Sequence, residues 1–397
     1  MQRPVDFRRR GMIHAPLSVL VTGASGFIGR HIVHQLHAAG HRVTALDYLP
    51  PKPPLPDGVL FHQFDIRQNH FPNRVFDAVV HLASLAGVRP SIHDPIGYHS
   101  TNVTGTLRLL KFCRRIEESE GQAFRPLLPL PLFLPLFLPL PFPFPFPFPF
   151  PLPLPLPLPL PLSTFDLRLS TFDFRLSTFD FRLSTFDFRL STFDLRPSTF
   201  GLRPSTFDLR PSTFDSSFPP SSVYGPETPL PAREDGPTDP CSPYALTKLQ
   251  GEQWGRLYAS MHGLRFVALR FFSVWGPGQR PDLAMECFRR RIEAGQPVVI
   301  NGDGSQRRDL THVSDVARAV ELALRWPGPG SVVLNVGTGR NHSVMDMLEA
   351  TRKTATPLVE HQAPHPADVP ETLASITAIG AELGWQPRIS FPDGPDS

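Results

Sequence analysis

Residues 17–47 constrain the fold more than any other part of this 397-residue chain. An apolar run at residues 17–21 is followed by three glycines and then by apolar residues at helical spacing. This pattern predicts a strand, a tight turn and an amphipathic helix. The buried stripe of that helix is predicted to be Ile28, Ile32, Val33 and Leu36. Gly40 would end the helix, and residues 42–46 read as a second strand. The order strand–helix–strand predicts a doubly wound α/β protein with a parallel sheet.

The turn between the first strand and the helix has the spacing of a dinucleotide-binding loop. Gly23, Gly26 and Gly29 form a GxxGxxG pattern, which lets backbone amides approach a pyrophosphate at the helix N-terminus. Asp47 ends the second strand, where a carboxylate can bind the adenosine ribose hydroxyls and repel a 2′-phosphate. The segment therefore predicts NAD as the cofactor in preference to NADP.

Charge, cysteine and histidine content argue against other classes of protein. The formal net charge is only +3, and no lysine–arginine run suggests a nucleic-acid partner. The three cysteines form no CxxC pair, which argues against zinc or a disulfide framework and fits a reducing compartment. The apolar run after the basic N-terminus is too short for a signal peptide, so we expect a cytoplasmic protein. No metal is predicted from the four histidines near the helix, which lack an HExxH-type carboxylate: His31, His34, His37 and His41.

A long proline-rich tract interrupts the globular pattern. From residue 126 to 162 the chain contains only proline, leucine and phenylalanine, mostly in strict alternation. Proline at every second position removes the amide donors of a helix, so the tract is not predicted to span a membrane despite its hydropathy. An extended, polyproline-like conformation is the remaining option for this tract. A docking role as a PxxP ligand is a minor alternative, because only Pro126 and Pro129 have the required spacing.

A seven-residue repeat of the type STFDFRL follows from Ser163. The odd period turns the apolar residues to the opposite face of a strand in each copy, so no continuous sheet face results. A tandem TCGACTT repeat in the DNA would encode this unit, because a seven-base repeat shifts frame in every copy. We therefore interpret residues 126–217 as a disordered low-complexity insertion of translated simple-repeat DNA.

The segment SPYALTK contains Tyr244 and Lys248 in a YxxxK arrangement. Residues four apart share one face of a helix. A lysine ammonium beside a phenol is expected to lower the phenol pKa, which would make Tyr244 a base near neutral pH. The pair predicts a catalytic acid–base site.

These motifs together resemble the extended short-chain dehydrogenase/reductases, and among them the NAD-dependent epimerase/dehydratase family that acts on nucleotide sugars. The resemblance is carried by TGASGFIG, HLASLAGVRPS, TNVTGT, SSVYG, SPYALTK, GDGSQRRDLTHVSDVARA and NVGTG, and it is closest to UDP-glucuronate and UDP-glucose 4-epimerases. It implies a Rossmann doubly wound parallel sheet, a smaller C-terminal substrate-binding domain, a UDP-sugar substrate and a homodimer.

The resemblance also implies roles for individual residues. The cofactor-binding set comprises Gly23, Ser25, Gly26, Phe27, Ile28, Gly29, Asp47, Asp65, Ile66, Leu82, Ala83, Ala86, Asn102, Tyr244, Lys248 and Phe272. Ser273 would face the sugar nucleotide, and Arg280 and Arg308 would bind its phosphates or uridine. Guanidinium geometry suits such contacts independently, with surface ion pairs as the alternative. Tyr244 would take the proton of the sugar 4-hydroxyl while NAD takes the hydride from C4.

The sequence predicts five segments. Residues 1–16 are an N-terminal tail, and residues 17–125 form the first part of the NAD-binding domain. The insertion at residues 126–217 follows. Residues 218–272 complete the NAD-binding domain with the Tyr–Lys pair, and residues 273–397 are mainly the substrate-binding domain, which we expect to be C-terminally truncated.

The chain departs from the family pattern just before SSVYG. The family has a central strand there, and its catalytic serine or threonine lies four residues before the tyrosine. That position is Pro220, which has no hydroxyl. A one-residue slip would present Ser221 as the third catalytic residue. We expect the central strand to be missing unless a repeat segment such as residues 172–176 replaces it.

Three classes of function remain open, with one alternative reaction for an active enzyme. The leading prediction is an NAD-dependent nucleotide-sugar epimerase. An impaired or inactive NAD-binding member of the family is the second, and a dehydratase or reductase is a further alternative. The dehydratase is disfavoured because Ser221 and Ser222 stand where that group has an Asp-Glu pair. An interaction protein acting through the proline tract is the third.

Overall fold

A seven-stranded parallel sheet forms the centre of the protein, in the order β10-β6-β5-β4-β1-β2-β3. The computed structural model describes residues 15–68, 71–72, 74–120, 125–127, 220–352, 357–364 and 369–394. The strands of this sheet are β1 Ser18–Thr22, β2 Arg42–Asp47, β3 Leu60–Gln63, β4 Ala78–His81, β5 Arg125–Leu127, β6 Phe266–Phe271 and β10 Ser331–Val336. The predicted Rossmann α/β fold is confirmed.

Helices cover both faces of the sheet. On one face lie α1 Phe27–Ala38, α7 Val313–Ala323 and α9 Thr377–Leu383, and on the other lie α4 Gly105–Glu120 and α5 Pro243–His262. The predicted stripe of α1 is largely correct: Ile32, Val33 and Leu36 are buried in the core, whereas Ile28 is half-buried at its edge.

The helix that carries the Tyr–Lys pair has strong local start and stop signals. Ser242 caps its N-terminus by accepting a hydrogen bond from the Ala245 amide at 3.1 Å. Pro243 occupies the first turn, and Gly263 ends the helix in the left-handed conformation at φ 72°. These signals set the register that places Tyr244 in the first turn.

Two smaller sheets lie beyond the main one. β7 Ser273–Trp275, β9 Arg307–His312 and β11 Asn341–Ser343 form the first, and β8 Val298–Asn301 and β12 Val359–Gln362 form the second. Helices α6 Ala284–Glu293 and α8 Val344–Thr351 pack with them around a separate apolar cluster. Short helices α2 Val88–His93 and α3 Pro95–His99 precede α4.

The expected gap in the central sheet is not found. β5 occupies the position between β4 and β6 and pairs with β4 at three residues and with β6 at Leu127. The expectation was wrong because β5 begins at Arg125, just before the repeats. The first two residues of the predicted insertion, Pro126 and Leu127, therefore belong to this strand. Pro126 lies opposite Val79 and cannot donate to the ladder. The alternative strand at residues 172–176 lies outside the described residues.

Candidate cofactor and substrate site

A cavity of about 1080 Å³ opens at the carboxyl ends of β1, β2 and β4. Ligands of doubly wound sheets bind at this edge, where the chain order reverses on either side of β1. Of the predicted site residues, the cavity is lined by Gly23, Ser25, Gly26, Phe27, Ile28, Gly29, Asp47, Asp65, Ile66, Leu82, Ala83, Ala86, Tyr244, Lys248, Ser273, Arg280 and Arg308. The structure therefore brings most of the predicted set together.

The glycine turn is packed too closely for side chains. Gly23 has a φ of +70°, and a Cβ there would lie 2.5 Å from the Ala83 nitrogen. A Cβ on Gly29 would lie 2.0 Å from the Gly23 carbonyl oxygen. This cradle leaves bare backbone at the start of α1 facing the cavity, which fits a pyrophosphate.

The acidic residues at the ends of β2 and β3 have defined partners. The Asp47 carboxylate accepts hydrogen bonds from the Ser25 amide at 2.9 Å and the Leu49 amide at 3.1 Å. This holds the carboxylate beside the glycine turn, where an adenosine ribose would lie. Asp65 forms an ion pair with Arg67 at 2.6 Å, and that guanidinium holds the pKa of Asp65 below its usual range.

Asn102 is buried behind the cavity. Its side-chain oxygen accepts from the Leu85 amide at 2.8 Å, and its nitrogen donates to the Leu85 carbonyl and the Thr247 hydroxyl, both at 3.0 Å. Asn102 therefore ties the segment after β4 to α5, which agrees with the predicted supporting position, and the residue does not line the cavity.

Tyr244 and Lys248 lie on the buried face of α5, with relative exposures of 3% and 5%. The Lys248 ammonium lies 5.5 Å from the centre of the Tyr244 ring. The ring of Tyr98 packs edge-on against Tyr244 at 6.2 Å, and the Tyr98 hydroxyl donates to the Ala86 carbonyl. One helix face thus presents both reactive side chains to the cavity.

The expected lowering of the Tyr244 pKa is wrong for this structure. Burial raises the pKa of Tyr244 to about 12, and the opposing charge comes from Arg280. Burial lowers the pKa of Lys248 to about 7, with Arg280 acting in the same direction. Desolvation disfavours the charged form of each side chain, and the Arg280 charge only partly offsets it for Tyr244.

Ser221 does not reach the cavity. It lies in a 3₁₀ turn, Pro220–Val223, and is buried, but it is not among the lining residues. Within the described residues its hydroxyl has no hydrogen-bond partner. The turn that contains Ser221 packs against α5, the helix of the Tyr–Lys pair, but Ser221 itself is not among the residues that line the cavity.

Phe272 is a second correction. It is buried against Val223, Tyr224 and Leu249, on the side away from the cavity. Its neighbours Phe271 and Ser273 line the cavity instead. Adjacent side chains point to opposite faces of a strand, so an error of one residue in register changes the face.

The arginines at the far end of the cavity differ in their surroundings. Arg280 forms an ion pair with Asp282 at 2.5 Å and keeps about a third of its side chain exposed (34%). Arg308 is buried, and its Nη1 donates to the Arg307 carbonyl at 2.8 Å. Both face the cavity, so neither is only a surface ion pair.

The sequence analysis missed the apolar part of the cavity and the segment after β2. The residues concerned include Tyr48, Leu49, Lys52, Arg67, Leu283, Met285, Phe288, Val299 and Met347. The first three could have been found from their position just beyond the carboxyl end of a predicted parallel strand. Arg67 follows β3 and Leu283 directly precedes α6, and the others come from α6, β8 and α8, whose approach to the cavity is a tertiary property.

No cluster that could hold a metal is found within the described residues. His31 instead contacts the Pro277 carbonyl through Nε2 at 2.9 Å, and His41 accepts the Leu17 amide at 3.1 Å. None of the helices in the described ranges has the length and apolar character needed to cross a bilayer.

The parallel sheet, the glycine cradle and the adjacent carboxylate define a Rossmann-type dinucleotide-binding protein. The model of the NAD dependent epimerase/dehydratase family matches residues 19–121 and 213–337, which is more than half of the chain. The chain belongs to this family, and its cofactor is NAD, as the sequence predicts.

Similar proteins match along nearly the whole chain. UDP-glucuronate 4-epimerase of Thermodesulfobacterium geofontis is 26% identical, with 94% of this chain and 93% of that protein covered. MoeE5 in complex with UDP-glucuronic acid and NAD superimposes with a TM-score of 0.66 at 29% identity, covering 95% of this chain and 96% of MoeE5. UDP-glucose 4-epimerase of Thermus thermophilus in complex with NAD gives 0.65 at 26% identity, covering 95% and 96%.

Proposed function

We propose that this protein is an NAD-dependent 4-epimerase of a UDP-sugar. The observation that carries the proposal is the position of Tyr244 and Lys248, which face a cavity that also contains the glycine cradle and two arginines. The similar proteins named above include 4-epimerases and complexes with UDP-sugars, which supports the same substrate class. UDP-glucuronate and UDP-glucose are the two candidates.

Each set of residues has a distinct task in this proposal. The turn at Gly23 holds the pyrophosphate of the dinucleotide, and the Asp47 carboxylate holds its adenosine ribose. Arg280 and Arg308 bind the diphosphate of the substrate through charge-assisted hydrogen bonds. Tyr244 exchanges a proton with the sugar 4-hydroxyl, and Lys248 lies beside the Tyr244 ring on the same face of α5. Bound NAD supplies a hydride acceptor and donor and stays in place through the cycle.

We also propose a division of the chain and, from the family resemblance alone, an assembly. We assign residues 17–125 and 218–272 to the NAD-binding part and residues 273–397 mainly to the substrate-binding part. β10 and α7, which lie within the latter range, pack with the main sheet. A homodimer is the proposed assembly, to be measured by light scattering.

An impaired catalyst is the second candidate, and the position of Ser221 favours it. The hydroxyl that would assist proton transfer does not line the cavity. The dehydratase or reductase alternative lacks such an observation.

The deciding experiment compares turnover of UDP-glucuronate and UDP-glucose by the full chain and by a repaired variant. In the repaired variant residues 128–220 are replaced by a short strand sequence that ends in Ser-Ser, so that a serine stands in place of Pro220. Turnover by both supports an active epimerase, and turnover by the repaired variant alone supports the impaired catalyst. Turnover by neither, with NAD still bound, overturns the epimerase proposal for these substrates.

Tyr244→Phe in the active protein provides the control for the site. Loss of the phenol proton should lower kcat by about 10²–10⁴-fold. NAD binding should persist, since the ring stays in place against Tyr98. A Tyr244→Phe variant with unchanged kcat would refute the assigned role.

A further inference from the structure

A continuous chain of buried hydrogen bonds lies beneath the cavity, between the ends of β1 and β4. The Ala83 amide donates to the Thr22 hydroxyl oxygen at 3.3 Å, and that oxygen lies 2.6 Å from His81 Nδ1. His81 Nε2 lies 3.0 Å from the Thr106 hydroxyl, which donates to the Asn102 carbonyl at 2.5 Å. Thr22, His81, Thr106 and Asn102 are each 1% exposed or less.

The carbonyl end of this chain of hydrogen bonds determines the positions of its protons. The Ala83 amide donates to one lone pair of the Thr22 oxygen and leaves the other free, so it does not itself direct the Thr22 proton; His81 Nδ1, at 2.6 Å, accepts that proton when the nitrogen carries none of its own. A carbonyl can only accept, so the Thr106 proton goes to Asn102 and its oxygen accepts from His81 Nε2. Only a neutral imidazole with its proton on Nε2 gives every group of the chain a partner, from the Ala83 amide through the Thr22 hydroxyl, the His81 ring and the Thr106 hydroxyl to the Asn102 carbonyl.

The electrostatic environment favours that neutral form. His81 is fully buried, and burial lowers its pKa to about 3, with the charge of Lys248 acting in the same direction. A charged imidazole would present a donor to Thr22 at Nδ1 and leave the Thr22 proton without an acceptor. His81 is thus a fixed hydrogen-bonding bridge.

This chain of hydrogen bonds reaches the two backbone segments that form the cofactor cradle. Thr22 directly precedes Gly23, whose Cβ position is 2.5 Å from the Ala83 nitrogen. The Leu82 amide also donates to the Thr22 carbonyl at 3.0 Å. Leu82 and Ala83 line the cavity opposite the glycine turn. The Thr22 hydroxyl therefore sets the separation of the two walls.

The same chain of hydrogen bonds reaches α5, the helix with Tyr244 and Lys248, through Asn102. The Asn102 side chain donates to the Thr247 hydroxyl at 3.0 Å, which donates to the Tyr244 carbonyl at 2.8 Å. The wall of the cradle and the backbone of Tyr244 are thereby connected through one set of buried groups.

We propose that His81 is a positioning residue for the NAD site, which as the Nε2–H tautomer orients the Thr22 hydroxyl and so holds the Ala83 amide and the glycine turn at the separation that NAD requires. This inference rests on the NAD site of the proposed function and does not depend on which sugar is turned over.

The first test measures the NAD dissociation constant of the full chain and its variants. Thr22→Val removes the hydroxyl at constant shape and should weaken NAD binding roughly tenfold, the effect of one lost buried hydrogen-bond link. Thr22→Ser keeps the hydroxyl and should stay within about threefold. Thr44→Val is the matched control, a buried threonine of β2 outside the network, and should leave the constant unchanged.

The second test examines His81 in the unaltered protein. Nitrogen-15 NMR of histidine-labelled protein at pH 7, assigned by the signal lost in His81→Asn, should show a neutral ring protonated at Nε2. A ring protonated at Nδ1 or at both nitrogens would overturn the proposal. The proposal would also be overturned if Thr22→Val bound NAD as tightly as the unaltered protein, or if Thr22→Ser lost as much affinity as Thr22→Val. Because affinity is measured without a sugar substrate, these outcomes are independent of whether the chain is an epimerase.

Discussion

At the scale of single residues, the charge on Lys248 is governed by its burial. The side chain is 5% exposed and belongs to the same helix face as Tyr244. Its pKa of about 7 means that the cofactor-free protein holds this lysine only partly charged at neutral pH. The ordinary lysine pKa is about 10.4, so the unfolded chain keeps the proton over a wide interval in which the folded protein has released it.

We predict that this difference makes the protein more stable as pH rises from about 7 towards 9.5. In that window the unfolded chain binds one more proton than the folded protein, so the free energy of unfolding increases with pH, by about 2–3 kcal/mol over the window. Lys248→Met should remove the increase. Tyr244, whose pKa is raised, acts only above pH 10, and the buried His41 and His81 act below pH 6.5. Cys287, whose pKa burial raises to about 11, acts in the opposite direction above about pH 8 and offsets part of the increase in both proteins.

Urea unfolding at four pH values from 6.5 to 9.5 tests this prediction. Lys111→Met is the matched control, because Lys111 is exposed on α4 and should keep the increase. A pH dependence that is the same in Lys248→Met and in the unaltered protein would contradict it.

The residue scale also shows where sequence reasoning succeeded and failed. The YxxxK spacing correctly predicted that Tyr244 and Lys248 share one face, because helical geometry is local. It gave the wrong direction for the Tyr244 pKa, since burial depends on packing by Tyr98 and other distant residues. The contact predicted between Phe272 and the cofactor was wrong because the apolar run at the end of β6 does not show which of its residues face the cavity.

At the scale of elements, α5 is attached to β6 and β10 by a buried polar network. Arg270 of β6 forms an ion pair with Glu252 of α5 at 2.9 Å, with side-chain exposures of 4% and 1%. Arg270 also donates to the Tyr224 hydroxyl at 2.7 Å, which donates to Asn335 of β10 at 2.6 Å. The helix with the Tyr–Lys pair is thereby held against the strand that neighbours β5.

We predict that Arg270→Met destabilises the protein by about 3–5 kcal/mol, because it leaves the Glu252 carboxylate buried without its cation. The double variant Arg270→Met/Glu252→Leu should be less destabilised than the single one, since no buried charge remains. Chemical denaturation of both variants provides the comparison.

Arg289→Met serves as the control for this pair of variants. Arg289 pairs with Glu286 and Glu293 on the surface of α6, with 43% of its side chain exposed, and its loss should cost about 0–1 kcal/mol. A double variant that is less stable than Arg270→Met alone would contradict the assignment of the cost to an uncompensated charge.

The strands and helices around the cofactor were predictable from local signals. The predicted strands at residues 17–21 and 42–46 agree within one residue with β1 and β2, and Gly23, Gly26 and Gly29 form the expected turn. β5 was not predictable by counting back from Tyr224, because a long sequence separates it from the residues that follow it in the fold. Its assignment depends on pairing with β4 and β6.

At the scale of the whole molecule, all seven strands of the main sheet lie outside residues 128–219. β5 ends at Leu127, and the chain is next described from Pro220, beside β6. The family match likewise skips residues 122–212. The strands and helices of the described residues that surround the cavity thus all lie outside the repeats.

We predict that replacing residues 128–219 with a linker of about six residues preserves the fold and the NAD affinity. Shortening a connection lowers its loop-closure cost by about 0.6 kcal/mol for each halving, so the midpoint of thermal unfolding should be unchanged or higher. Differential scanning calorimetry and NAD titration of the shortened chain test this. A shortened chain that does not fold, while a variant with a scrambled repeat of the original length does, would show that the connection needs its length.

The central position of β5 in the sheet has a mechanical consequence. β6 and β10 pair with each other at six positions, and β5 is the strand through which they join β4, β1, β2 and β3. Helices also connect these two groups of strands: α1 packs against α7, and Gln35 donates to Glu321 at 2.7 Å. The cavity lies across both groups, with Gly23 and Leu82 on one side and Phe271 on the other. A dinucleotide and sugar bound there would hold the two groups of strands together.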